Sequence, residues 1–199
     1  MTLLLKKDAL IYTANYCEEN IYLLCKHIQH HFPDQLDQCT VVFISNEQQA
    51  FPMWCQKACR SDRPFVLWDY HVILLFKEII SERIQYSVYD FDTTLPFKSS
   101  LTDYITQSFQ PKIALLEQYK RRFRMIPASS YIQHFASDRS HMKTNQGTYL
   151  APPPDYQPIV TQDGETMTLP QYRNMMLDDD DQDKYGKVLL EEDFFLSIE

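Results

Sequence analysis

The chain has 199 residues, of which 44% are hydrophobic and 14% aromatic, enough for one domain with a buried core rich in Tyr and Phe and too apolar for a disordered chain. Its 19 basic residues stand against 27 acidic ones, a net charge of -8, which argues against a nucleic-acid partner because neutralising phosphates takes clustered Lys and Arg. No apolar run approaches bilayer-spanning length, Met1 to Lys7 is too short to read as a secretory signal, and five cysteines in no dense framework suit a reducing compartment, so the expectation is a cytoplasmic protein, small enough to pass into the nucleus, with no membrane partner.

In chain order, Ile21, Leu24, Cys25 and Ile28 fall at helical spacing and predict a helix over Cys17–His31, with Thr13 or Asn15 as N-cap, Glu18 and Glu19 in the first turn and Pro33 beyond its end. Cys17 shares that apolar stripe, so its thiol is expected to face inward. Runs rich in Val, Ile, Phe and Tyr predict strands over Thr40–Ser45, Phe65–Phe76 and Tyr86–Asp92, the middle one apolar on both faces as a central strand requires. The link 77–85 reads as a hairpin connection, which makes the sheet antiparallel.

Further on, Ser100–Phe109 and Lys112–Tyr119 read as helical, Arg122–Ile126 as a strand and Ser129–Ala136 as a helix. The basic knot 120–124 reads as a solvated strand or helix end, and 137–161, with Pro152, Pro153 and Pro154, as irregular and extended. The acidic run Asp178–Asp181 reads as a solvated loop, and Glu191–Ile198 as a last helix. The expected fold is a single mixed α/β domain over residues 1–199, with a central antiparallel sheet packed on the N-terminal helix.

Three short segments carry chemistry: Cys17 opening the helix, His71 in the middle strand and Asp90 in the next. A thiol becomes a strong nucleophile when a base takes its proton and a third group orients that base. A lone Cys is more often a buried hydrophobe, but the N–H groups at a helix N-terminus favour a thiolate and can hold an oxyanion. Strand alternation puts Asp69 on the His71 face and both Asp90 and Asp92 on one face of the neighbouring strand, so spacing alone leaves either acid as the partner of His71. Cys55, Cys59, His27, His30 and His31 are soft ligands without zinc spacing, and three glycines in the chain exclude a Gly-rich phosphate loop, so neither a metal nor a cofactor is expected. His141, beside Asp138, is a second candidate base or a plain loop histidine.

The segments Tyr16–Ile21, Val42–Glu47, Trp68–Val72, Tyr89–Thr93 with Leu95-Pro96-Phe97, and Phe135–Met142 resemble, in order, the eukaryotic family of protein N-terminal glutamine amidohydrolases, from about Tyr12 onward. The resemblance implies a papain- or transglutaminase-like core with Cys17 as nucleophile, His71 as base and Asp90, rather than Asp92, as orienting acid. It implies a monomer that converts the N-terminal Gln of protein or peptide substrates to Glu with release of ammonia, a Glu that can then be arginylated and read as a degradation signal. Reading a free α-ammonium calls for a carboxylate near the pocket, for which Glu47 and Asp69 are the candidates, each reading equally well as a salt bridge that fixes a loop, with Trp68 and Tyr70 as channel walls or plain core aromatics. The rival readings are a cysteine peptidase or acyltransferase with the same three residues, and a binding module with an inert Cys17.

Overall fold

A computed structural model describes residue 3 and residues 5–177 and 184–197; the acidic run 178–183 and position 198 of the expected last helix lie outside the described residues. The centre is a six-stranded, wholly antiparallel sheet. Its strands are β1 (Cys39–Ser45), β4 (His71–Ile80), β5 (Arg83–Tyr89), β6 (Lys98–Ser100), β7 (Arg122–Pro127) and β8 (Lys187–Leu190), in the spatial order β6-β5-β4-β1-β7-β8. Two further strands, β2 (Phe51–Trp54) and β3 (Phe65–Trp68), form a separate antiparallel pair. Pro52 removes a ladder donor and so hides β2 in the sequence, and a small two-stranded edge is where a strand proline is tolerated.

The sheet is buried on both faces, which is why β1 and β4 read as continuous apolar runs. On one side Val41, Phe43, Val72, Leu74 and Phe76 pack against α1 (Cys17–His31) through Ile21, Leu24, Cys25 and Ile28, with Tyr131 of α3 (Ala128–His134) and Tyr172 of α4 (Leu169–Arg173) beside them. On the other, Val42, Ile44, Ile73, Leu75 and Val88 meet Phe51 and Met53 of β2, Leu101 and Tyr104 of α2 (Leu101–Tyr104), and Phe194 of α5 (Glu191–Leu196). Beyond α2 the chain continues as a wider π-type turn over Ile105–Phe109.

Several expectations are corrected. The run 65–76 is two strands: Asp69 and Tyr70 break it, Ser45 Oγ donating to the Asp69 carbonyl at 2.5 Å, so that β3 leaves the main sheet before β4 begins. The hairpin after β4 is longer than predicted, with Ile80 paired to Arg83 across Ser81 and Glu82 at φ 50° and 65°. A turn of this kind ordinarily uses Asn-Gly, so Ser-Glu gave no signal of it. Residues 112–119 hold only one 3-10 turn, Glu117–Tyr119, because Gln110 in the left-handed region (φ 49°) stops the preceding helix and Pro111 follows.

The basic knot leads into a strand, as expected, but only Lys120 is solvated: Arg122 is half-buried, and Arg121 and Arg124 are buried. Arg121 grips Glu191 at the start of α5 through Nε (3.0 Å) and Nη2 (2.8 Å), and its Nη1 donates to the Phe109 carbonyl at 2.9 Å; Arg124 bonds the carbonyls of Asn174, Tyr185 and Gly186. Guanidinium groups bury where carbonyl and carboxylate acceptors surround the whole fork.

Candidate active site

The site lies at the end of the sheet where β4 begins and β5 finishes, against the first turn of α1. Cys17 is the first residue of α1, preceded by Tyr16 as an N-cap without a side-chain cap bond. The expected cap is replaced by a different device: the Asn20 side chain bonds both the N–H and the carbonyl of Thr13 at 2.8 Å, and Asn15 turns the chain into the helix at φ 68°. Asn is among the residues that adopt this conformation most readily. Cys17 keeps part of its surface open, yet its sulfur is closely surrounded and accepts from the backbone N–H of Val72, the residue after His71.

His71 is fully buried and stacks on Trp68, ring centroids 5.3 Å apart and planes 14° from parallel. Its Nε2 lies 3.1 Å from Oδ1 of Asp90, an ion contact too bent to count as an aligned hydrogen bond, and Nδ1 has no hydrogen-bond partner among the described residues. Catalytic hydrogen bonds are often misaligned before substrate arrives. The Asp90 carboxylate is itself held from three sides: Oδ1 accepts the Asp92 N–H at 2.8 Å and meets His71, and Oδ2 accepts the Tyr104 hydroxyl at 2.7 Å. Burial, the largest single effect, pulls the His71 imidazolium down, but the Asp90 charge and contact together with the charges of Asp92 and Glu18 outweigh it and the net shift is upward; burial raises Asp90, but His71 and then the Tyr104 hydrogen bond outweigh that and hold it below the ordinary carboxylate value. Burial above all, then the charges of Glu18 and Asp92, push the Cys17 thiol well up, with the Val72 amide acting the other way, so the resting sulfur is a protonated thiol.

Asp92 stands near the same imidazole, but its Oδ1 accepts the Tyr12 hydroxyl at 2.5 Å, and the Phe91 carbonyl between the two acids is held by Lys7 (2.9 Å) and Lys57 (2.6 Å). His71, Asp90 and Asp92 form the one cluster of ligand-type side chains among the described residues, their atoms within 4.8 Å, and Cys55 and Cys59 are not in it. Both acids of that cluster are already engaged by phenols, and the donor set offers no thiolate and a single imidazole.

The three other site candidates sit at different depths. Trp68 walls the imidazole, whereas Glu47 is 58% exposed and ion-paired to Arg122 at 2.8 Å, and Asp69 is 54% exposed and ion-paired to Arg173 at 3.1 Å. Arg173 also lies over the Tyr70 ring, 4.5 Å from its centroid. Beside this ion pair opens a cavity of about 310 Å³ lined by Gln49, His141, Met167, Leu169, Pro170, Arg173 and Asn174.

Sequence reasoning missed Tyr104, the Val72 amide and Glu18. Nothing local marks the first two, since both act through the tertiary fold. For Glu18 the signal was present: two adjacent acids in the first turn of a helix whose stripe faces the core. Both are fully buried. Glu19 is clamped by Arg139 through two bonds of 2.9 Å, and Arg139 also ties down the carbonyls of Pro154 and Tyr156, which gives segment 137–141 its bracing role.

The sequence profile of the N-terminal glutamine amidase family matches residues 12–198. The chain belongs to that family. Among its relatives are proteins named protein N-terminal glutamine amidohydrolase from Bos taurus and Homo sapiens, each 45% identical over 159 residues, covering 80% of this chain and 75% and 76% of theirs. The namesake from Drosophila mojavensis is 43% identical over 150 residues, 75% of this chain and 72% of its own. The N-terminal glutamine amidase match takes in Cys17, His71 and Asp90 together.

Proposed function

We propose that this protein hydrolyses the side-chain amide of an N-terminal glutamine on proteins and peptides, giving glutamate and ammonia, with Cys17 as nucleophile, His71 as general base and acid, and Asp90 as the acid that orients it. The observation that carries the reading is the Asp90–His71 contact beside a helix-terminal thiol that meets the Val72 amide, in a chain of this family. His71 takes the Cys17 proton and the sulfur attacks the amide carbon, forming a C–S bond and an oxyanion. Collapse of that intermediate breaks the C–N bond, and the imidazolium protonates the departing nitrogen, which leaves as ammonia. Water, giving its proton to the same imidazole, attacks the thioester; the C–S bond breaks and the thiolate recovers the proton.

The oxyanion falls to backbone donors at the start of α1, where each is worth about 2.7–4 kcal/mol in the transition state. We place this arrangement with papain- and transglutaminase-like cores and expect the product glutamate to feed arginylation and degradation. Trp68, stacked on the imidazole, is the wall we assign to the base side of the substrate channel. The site is completed within one chain, which favours a monomer; the net charge of -8 disfavours nucleic acid, and no helix among the described residues is long and apolar enough to cross a membrane. All cysteines are free, as a cytoplasmic or nuclear protein requires.

Ammonia release from a peptide beginning with Gln, against the same peptide acetylated at its amine, tests the reading. Turnover confined to the free-amine peptide and abolished in a folded Cys17→Ala variant is the expected outcome. Release of a peptide amine rather than ammonia would favour a peptidase, and transfer to an added amine an acyltransferase.

A further inference from the structure

Glu18 is a charge that the triad does not use. It follows Cys17 directly and is fully buried; Oε2 accepts the Tyr70 hydroxyl at 2.9 Å and faces the Cys17 thiol at 3.6 Å. Among the described residues Oε1 has no hydrogen-bond partner, and the basic group beside it, His141 Nε2 at 3.4 Å, is out of line and charged only when protonated. A buried carboxylate costs free energy unless a cation meets it, and a negative charge beside a nucleophilic thiol opposes the thiolate. The neighbouring Glu19 is matched by a buried arginine; at Glu18 the described residues supply no permanent cation. His141 also lines the 310 Å³ cavity, so the unpaired side of this carboxylate backs directly onto the ring at the cavity wall.

We propose that Glu18 receives the α-ammonium of the substrate's first residue, with Oε1 as the acceptor, and so confines the reaction to glutamine at the N-terminus. The inference rests on the amidohydrolase reading above. In glutamine the ammonium nitrogen and the amide carbon are four bonds apart, about 4–5 Å at ordinary bond lengths. With the amide carbon about 3–3.5 Å from the sulfur in a near-attack geometry, the nitrogen falls within reach of a carboxylate whose other oxygen is 3.6 Å from that sulfur. An internal or acetylated glutamine brings no charge and leaves Glu18 unpaired, which is the condition under which sites reject a ligand strongly. An ammonium there also cancels the charge that works against the Cys17 thiolate. Glu47 and Asp69 lack these features, each being more than half exposed and held by an arginine.

The test compares ammonia release by the wild type and Glu18→Gln from two peptides identical beyond residue one, one beginning with Gln and one with its desamino counterpart, a 4-carbamoylbutanoyl group. The wild type should prefer the free-amine peptide by about 100-fold or more in kcat/KM, and Glu18→Gln should bring that ratio to within severalfold of one. An unchanged ratio, or an equal fall on both peptides, would overturn the proposal and leave Glu18 a structural or thiol-tuning residue. A wild type inactive on both peptides would instead refute the amidohydrolase reading. If Glu18→Gln does not fold, the crystal structure of Cys17→Ala with a Gln peptide decides: the ammonium nitrogen belongs within about 3.2 Å of a Glu18 oxygen, and any other partner refutes the assignment.

Discussion

The Tyr104 hydroxyl donates to Oδ2 of Asp90 at 2.7 Å, so the carboxylate that meets His71 is itself aimed by a helix on the far side of the sheet. Asp92, two residues on, has its own phenol in Tyr12 and acts on His71 by its charge, more weakly than Asp90. Asp90→Asn should therefore lower kcat by about 10²- to 10⁴-fold, and Asp92→Asn by much less. Tyr104→Phe should fall between them. Steady-state ammonia assays on the three variants check this order; a greater loss in Asp92→Asn would transfer the role to that residue.

The pH response follows from the same pair. His71 must be neutral to take the thiol proton, and its protonated form is favoured by Asp90, so kcat/KM should rise with pH through a midpoint above the ordinary histidine value of 6.5. Asp90→Asn removes the largest upward causes and leaves burial opposed only by the Asp92 and Glu18 charges, so the midpoint should fall relative to the wild type. Stability carries the opposite signature at its two ends. The depressed Asp90 stabilises the fold above its ordinary value of 3.8 and loses that contribution as pH falls through its folded value; the raised His71 stabilises fully below 6.5 and loses its contribution as pH rises through its folded value. The difference in Tm between wild type and Asp90→Asn should thus be greatest between about pH 4 and 6.5.

Arg139 and Glu19 form a bidentate ion pair with both side chains buried. Arg139→Met leaves Glu19 as an unpaired buried charge and releases the 154–156 carbonyls, so it should cost about 3–5 kcal/mol in urea unfolding. A loss below 1 kcal/mol would mean that water replaces the guanidinium.

Gly186 sits at φ 76°, and a Cβ there would lie 2.1 Å from the Met125 carbonyl oxygen in the adjoining strand. Gly186→Ala combines left-handed strain, about 1–3 kcal/mol, with that overlap, and β8 should detach from β7. Hydrogen exchange at 187–190 reads this directly, with faster exchange expected than in the wild type.

What the sequence determined by itself was the family and the local elements. The 3.6-residue stripe of α1, the apolar runs of β1 and β4, and the Cys17, His71 and Asp90 motifs are patterns of neighbouring residues, and neighbours fix periodicity and residue type. Only the tertiary structure decided what depends on distant groups meeting. It broke the run 65–76 at Asp69 through a bond from Ser45, buried Arg121 and Arg124 against acceptors from α5 and the 174–186 segment, and turned Asp90 toward Tyr104 while Asp92 turned to Tyr12. It also set Glu19 on an arginine 120 positions away and left Glu18, beside the thiol, with Oε1 lacking a hydrogen-bond donor among the described residues. A carboxylate's role follows from the cation or donor that faces it, and that partner comes from another part of the chain.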